Sequence, residues 1–120
     1  MSRIPYLIAG LVMVVAVAAP TSAGMGVTKL KGTTGPGFTI TLKKGTAKVK
    51  TLKAGKYAIT VNDKSTMHNF RLKGPGLNKL ITGLAFKGSK TVTVRLKTGK
   101  YTYQCDPHAG QGMKHTFRVT

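Results

Sequence analysis

Acidic side chains are almost missing from this 120-residue chain. Asp63 and Asp106 are its only carboxylates, against 20 Lys and Arg, and the formal net charge is +18. Glycosidase and aspartic-protease mechanisms need two carboxylates in one cleft, and these two stand 43 positions apart. Phosphoryl transfer with carboxylate-held magnesium is disfavoured on the same ground. Cysteine occurs once, as Cys105, which excludes an internal disulfide framework and any zinc site built on two to four cysteines. Tryptophan is absent. Tyr103, two residues before Cys105, therefore does not signal an immunoglobulin domain, which needs a second Cys and usually a core Trp. Three His without a single His-x-His pair exclude a multicopper oxidase. Helical periodicity is weak, and only Leu77 to Phe86 allows a short helix or irregular loop.

What is present divides into a leader and one domain. Met1-Ser2-Arg3 opens into an apolar run from Ile4 to Ala19, followed by Pro20-Thr21-Ser22-Ala23. That is the layout of a secretory signal peptide over residues 1–23, with cleavage expected after Ala23. A membrane span needs roughly 20 apolar residues, and this run is shorter and holds Pro5 and Gly10. No transmembrane segment is expected in the mature chain, residues 24–120, which keeps 19 basic and two acidic side chains. The expected location is the periplasm or extracytoplasmic envelope. A lone Cys in an oxidising compartment is a liability unless something, such as a metal, holds it.

The mature chain alternates with period 2. Phe38, Ile40 and Leu42 share a face; so do Ala47, Val49 and Thr51, then Tyr57, Ile59 and Val61, then Val92, Val94 and Leu96, and finally Tyr101, Tyr103 and Cys105. Short strands bounded by Gly, Pro and Asn turns predict an all-β antiparallel sandwich or barrel. Leu52-Lys53-Ala54-Gly55-Lys56-Tyr57 recurs as Leu96-Lys97-Thr98-Gly99-Lys100-Tyr101. Two copies fall short of a repeat architecture and predict two similar corners of one sandwich.

The chemistry concentrates near the C-terminus. Cys105, His108 and Met113 fall within nine residues, in a loop stiffened by Pro107 and made pliable by Gly110 and Gly112. His68 stands 37 residues before the Cys and shares a strand face with Phe70 and Leu72, so it is expected to meet the Cys loop across the sandwich. Two imidazoles, a thiolate and a weak thioether are the donor set of a blue-copper site. Taken singly, each of these residues reads as a core or surface side chain; the combination points to copper.

His68-Asn69-Phe70 and Tyr103 through Met113 resemble the plastocyanin-like cupredoxins, small bacterial type 1 copper proteins, and the resemblance extends from about Phe38 to Val119. It implies a Greek-key β-sandwich of eight strands with one copper ion at one end. It implies His68, Cys105 and His108 as equatorial ligands and Met113 as the axial one. Asn69 would direct its backbone N–H at the Cys105 sulfur and tie the two loops together through its side chain. The ring edge of His108 would be the electron exit, ringed by Gly74-Pro75-Gly76, Pro107, Ala109 and Gly112. His115 departs from the pattern, since relatives usually have Gly there; it is expected to be structural or solvent-facing.

The expected function is a single-electron shuttle cycling Cu(I)/Cu(II), and not an enzyme, because four protein ligands leave no open position for substrate. The alternatives are an envelope copper carrier or buffer, and a cationic envelope-binding module in which copper is secondary. The charge predicts acidic redox partners or an anionic envelope surface. Nucleic acid is not expected, given export and the lack of an exposed aromatic stripe. A monomer is expected.

Overall fold

The computed structural model describes residues 26–120; the leader lies outside the described residues. Ten strands run in chain order: β1 (Thr28–Thr34), β2 (Ile40–Lys44), β3 (Ala47–Lys48), β4 (Thr51–Leu52), β5 (Gly55–Asp63), β6 (Phe70–Gly74), β7 (Leu77–Thr82), β8 (Gly88–Leu96), β9 (Gly99–Gln104) and β10 (Lys114–Val119). They form two five-stranded sheets, in the orders β3-β2-β1-β5-β8 and β4-β10-β9-β6-β7. The expected all-β Greek-key sandwich is therefore present, with two more strands than expected. It is not purely antiparallel, since β1 pairs β5 and β4 pairs β10 in parallel.

Alternation places the core. Ile40 and Leu42 from β2, Ile59 and Val61 from β5, Phe70 and Leu72 from β6, and Tyr101 and Tyr103 from β9 all meet between the sheets, each at most 2 % exposed. Complete burial of such side chains contributes roughly 1.5–3 kcal/mol each. Gly32 lets the sheets approach: a Cβ there would lie 2.9 Å from the Phe70 ring. The close fit seats Phe70, and with it the neighbouring His68, against β1.

Three expectations are corrected. Ala47, Val49 and Thr51 do not form one strand. Val49 N donates to Leu42 O in the first sheet, and Lys50 O accepts from Arg118 N in the second, so the chain changes sheets within one residue. Such corners break the alternation, and the buried residues here are Val49 and Leu52. Leu77 to Phe86 is not helical: β7 fills its first half, and the only helical segment among the described residues is a 3₁₀ helix over Asp106–Gln111. Phe38 precedes β2 and is 56 % exposed, outside the core.

The repeated hexapeptide does form two matching corners. Tyr57 Oη donates to Lys53 O at 2.6 Å, and Tyr101 Oη accepts from Lys97 N at 2.9 Å, each reaching back four residues. Tyr101 also donates to Pro75 O at 3.0 Å. Tyr101→Phe would remove the partner of two part-buried backbone groups, so it should lower the unfolding free energy by about 0.5–1.5 kcal/mol per bond lost, read from urea midpoints at unchanged m-value. An unchanged midpoint would show the corner to be idle.

Candidate metal centre

Three loops at one end of the sandwich build the site. The first follows β1, where Gly35 holds φ +76° and a Cβ would meet His68 Cδ2 at 2.7 Å; both facts require glycine. The second joins β5 to β6. Ser65 N donates to Asp63 Oδ1, Met67 N to Ser65 Oγ, and His68 N to Ser65 O, which turns His68 inward to 1 % exposure. The third is the 3₁₀ segment between β9 and β10. Pro107 sits in its first turn, where no N–H is needed. His108 N donates to Cys105 O, Met113 N to His108 O and Cys105 N to Met113 O, so the loop closes on itself and buries Cys105 and Met113 completely.

His68, Cys105 and His108 converge. His68 Nδ1 and His108 Nδ1 lie 3.1 Å apart, and Cys105 Sγ lies 3.4 Å from His108 Nδ1 and 3.7 Å from His68 Nδ1. An ion held trigonally at about 2.0–2.1 Å from nitrogen and about 2.3 Å from sulfur needs edges of about 3.5–3.8 Å. The triangle matches that to within a few tenths of an ångström. The protonation pattern fits as well. Pro36 O lies 3.3 Å from His68 Nε2, and a carbonyl only accepts, so Nε2 carries the proton and Nδ1 turns its lone pair to the centre. A soft sulfur and two imidazoles with no carboxylate among them suit copper.

Asn69 ties the loops as expected through its side chain: Asp106 N donates to Asn69 Oδ1 at 2.7 Å, and Asn69 Nδ2 donates to Asp106 Oδ2 at 3.1 Å. A bond from the Asn69 amide to Cys105 Sγ is not among the hydrogen bonds of the described residues. Nothing in the residue pattern marks Asp106 as a hub. Arg71 Nε donates to both its oxygens, at 3.1 and 2.9 Å, and Gln104 Nε2 to Oδ1 at 2.9 Å. Nor does that pattern reveal Phe38, whose ring stacks on His108 at 4.6 Å and meets His68 edge-on at 5.8 Å.

The expected patch around His108 is redrawn. Gly74-Pro75-Gly76 lies at the opposite end of the sandwich, because β6 runs antiparallel to β9 and Pro75 binds Tyr101 rather than the Cys loop. Phe38 and Met67, 56 % and 62 % exposed, are the large apolar side chains beside the site. His115 stays half-buried against Tyr103, ring centroids 5.6 Å apart. Burial and the nearby Lys48 charge push its pKa below the ordinary value.

A β-sandwich with a buried thiol and two convergent imidazoles at one end defines the cupredoxins, small copper proteins of the electron-transfer class. The chain belongs to the plastocyanin/azurin family of copper-binding proteins, whose model matches residues 38–120, and its cofactor is copper. Solved structures of rusticyanin share the fold. One crystal structure superposes with a TM-score of 0.58 at 20% identity, over 77% of this chain and 76% of that one. Reduced rusticyanin gives 0.55 at 21%, over 77% and 78%. Rusticyanin from Thiobacillus ferrooxidans gives 0.54 at 22%, over 77% and 76%.

Burial pushes the Asp106 carboxyl up, but hydrogen bonds from Gln104, Arg71 and Asn69, with the Arg71 charge, outweigh it and hold the pKa below its ordinary value. A depressed pKa contributes stability above the unfolded-state value, near 3.9 for Asp, and that stability is lost as pH falls through the folded value. Asp106→Asn should therefore flatten the stability profile below about pH 4. Parallel acid-unfolding curves for the two proteins would show that the hub carries no linkage.

Proposed function

We propose that His68, Cys105, His108 and Met113 ligate one copper ion, and that the exported mature protein, residues 24–120, shuttles single electrons between protein partners. The observation that carries this is the closed triangle of His68 Nδ1, Cys105 Sγ and His108 Nδ1. Copper held there supplies one-electron chemistry between Cu(I) and Cu(II). The chain's own part is to keep the donors fixed while the charge changes. The Asn69–Asp106 bridge and the Pro36 carbonyl do this for Cys105 and His68, and burial of His68, Cys105 and Met113 excludes water. His108 is the one member of the set with solvent access, so its ring edge is the electron exit. Three fully buried donors favour a shuttle over an envelope copper carrier, which must release its metal through an open site. Four protein ligands also leave no position for substrate, in keeping with a non-enzymatic role.

Cu(II) loading should give an intense thiolate-to-copper band in the visible spectrum. Cys105→Ser should abolish it, and Met113→Leu should keep it while raising the potential, because a weak donor to Cu(II) is lost. Folded, Cu(II)-loaded protein without that band would refute the ligand set.

The surface adds selection by charge. With 19 basic side chains in residues 24–120, transfer to an acidic partner should slow by roughly 10-fold or more as salt rises, while the Debye length shrinks from about 10 Å at 0.1 M to about 3 Å at 1 M. Ala109→Glu, next to His108 in the 3₁₀ segment, should slow transfer even at high salt by placing a charge in the contact. Lys50→Glu should alter only the low-salt rate. High-salt transfer impaired by Lys50→Glu and untouched by Ala109→Glu would move the exit away from His108.

A further inference from the structure

The outer face of the first sheet carries a pattern that copper binding does not use. Pairing aligns Lys31 on β1 with Lys43 on β2, and Lys43 with Lys48 on β3. All three are exposed, on the side opposite Leu30 and Leu42. Neighbouring strands lie about 4.8 Å apart, so the backbone positions of the three lysines form one row across about 10 Å. Like charges directly opposite each other destabilise a sheet. Lysine on an edge strand is explained by protection against edge pairing. That accounts for Lys48 on β3 but not for Lys43 and Lys31, which lie on interior strands.

The row continues into hydroxyls. Thr33 pairs Thr41 next to the Lys31–Lys43 pair, and Lys31, Thr33, Thr41 and Lys43 line a shallow pocket of about 250 Å³ closed by Gly45 and Thr46. Across the sheet, Thr60 pairs Thr91 and Lys56 pairs Arg95. No carboxylate opposes these cations, because Asp63 is buried and Asp106 is in the metal loop. Two ammonium groups and two hydroxyls around one pocket suit a compact phosphate group. A planar carboxylate would favour the forked guanidinium of Arg.

We propose that this face, centred on Lys31, Lys43 and Lys48, docks the protein on an anionic phospholipid surface through its phosphate groups. The face is broad, with strands side by side and no large apolar side chain among those named, which matches a planar array of headgroups contacted by charge alone. The metal centre lies beyond the strand ends, past Thr34 and Gly35. Docking by the face therefore leaves the His108 edge open sideways to a partner on the same surface.

The test is sedimentation of the copper-loaded protein with vesicles of equimolar phosphatidylglycerol and phosphatidylcholine at low ionic strength. Two triple variants of equal charge are compared: Lys31→Gln, Lys43→Gln, Lys48→Gln on this face, and Lys73→Gln, Lys100→Gln, Arg118→Gln on the second sheet. A basic side chain at an anionic membrane contributes enough that losing three should weaken binding by on the order of 100-fold. The first variant should show that loss, and the second should stay within a few-fold of the unaltered protein. The visible copper band reports that both variants keep a folded site. Equal losses in both would mean that net charge alone drives adhesion, and would overturn the assigned face. Saturable shifts of the Thr33 and Thr41 amides with inorganic phosphate or polyphosphate, without retention on vesicles, would give the site to a soluble anion and overturn the docking proposal.

Discussion

The bridge between Asn69 and Asp106 is the contact on which the metal end depends. His68 and Cys105 stand 37 positions apart, and each sits in a loop with little regular structure of its own. Two hydrogen bonds between Asn69 and Asp106, the residues immediately following His68 and Cys105, fix the spacing of those donors. Arg71 and Gln104 then saturate the carboxylate from β6 and β9, strands that also pair with each other. The loops are thus referenced to a rigid sheet. The separation of Cys105 Sγ from His68 Nδ1 becomes a property of the sandwich rather than of loop conformation.

That arrangement suits a site whose charge must change without motion. Side chains held by backbone closure of the 3₁₀ segment and by a carbonyl on the far ring nitrogen of His68 have little freedom to rearrange. Such outer contacts orient ligands and tune a metal as much as the donors themselves do. Phe38 adds a flat apolar cover on one face of His108, which leaves the ring edge for contact with a partner.

The convergence of His68, Cys105 and His108 was legible in the sequence because side chains that meet inside must face inward, and period 2 reveals facing: His68 aligns with Phe70, and Cys105 with Tyr103. The sandwich was legible for the same reason. Period 2 failed between Ala47 and Leu52, where the chain changes sheets and alternation loses its meaning. It misplaced Phe38, whose apolar side chain reads as core when its neighbours Ile40 and Leu42 are core; only the fold shows a His ring waiting outside. Gly74-Pro75-Gly76, placed around His108 by the resemblance, lies at the other end because β6 runs away from the Cys loop, a direction that local sequence does not encode. Asp106 escaped notice because its partners Arg71 and Gln104 are ordinary surface residues in sequence and become neighbours only through β6–β9 pairing.

A surface whose one solvent-accessible acidic side chain is already bound to Arg71 governs how copies of the protein treat each other. Two copies, each carrying 19 basic side chains against two acidic ones over residues 24–120, repel one another in dilute salt. Close contact between copies is therefore disfavoured in dilute salt. The same charge that keeps copies apart leaves each of them free to meet surfaces of opposite sign.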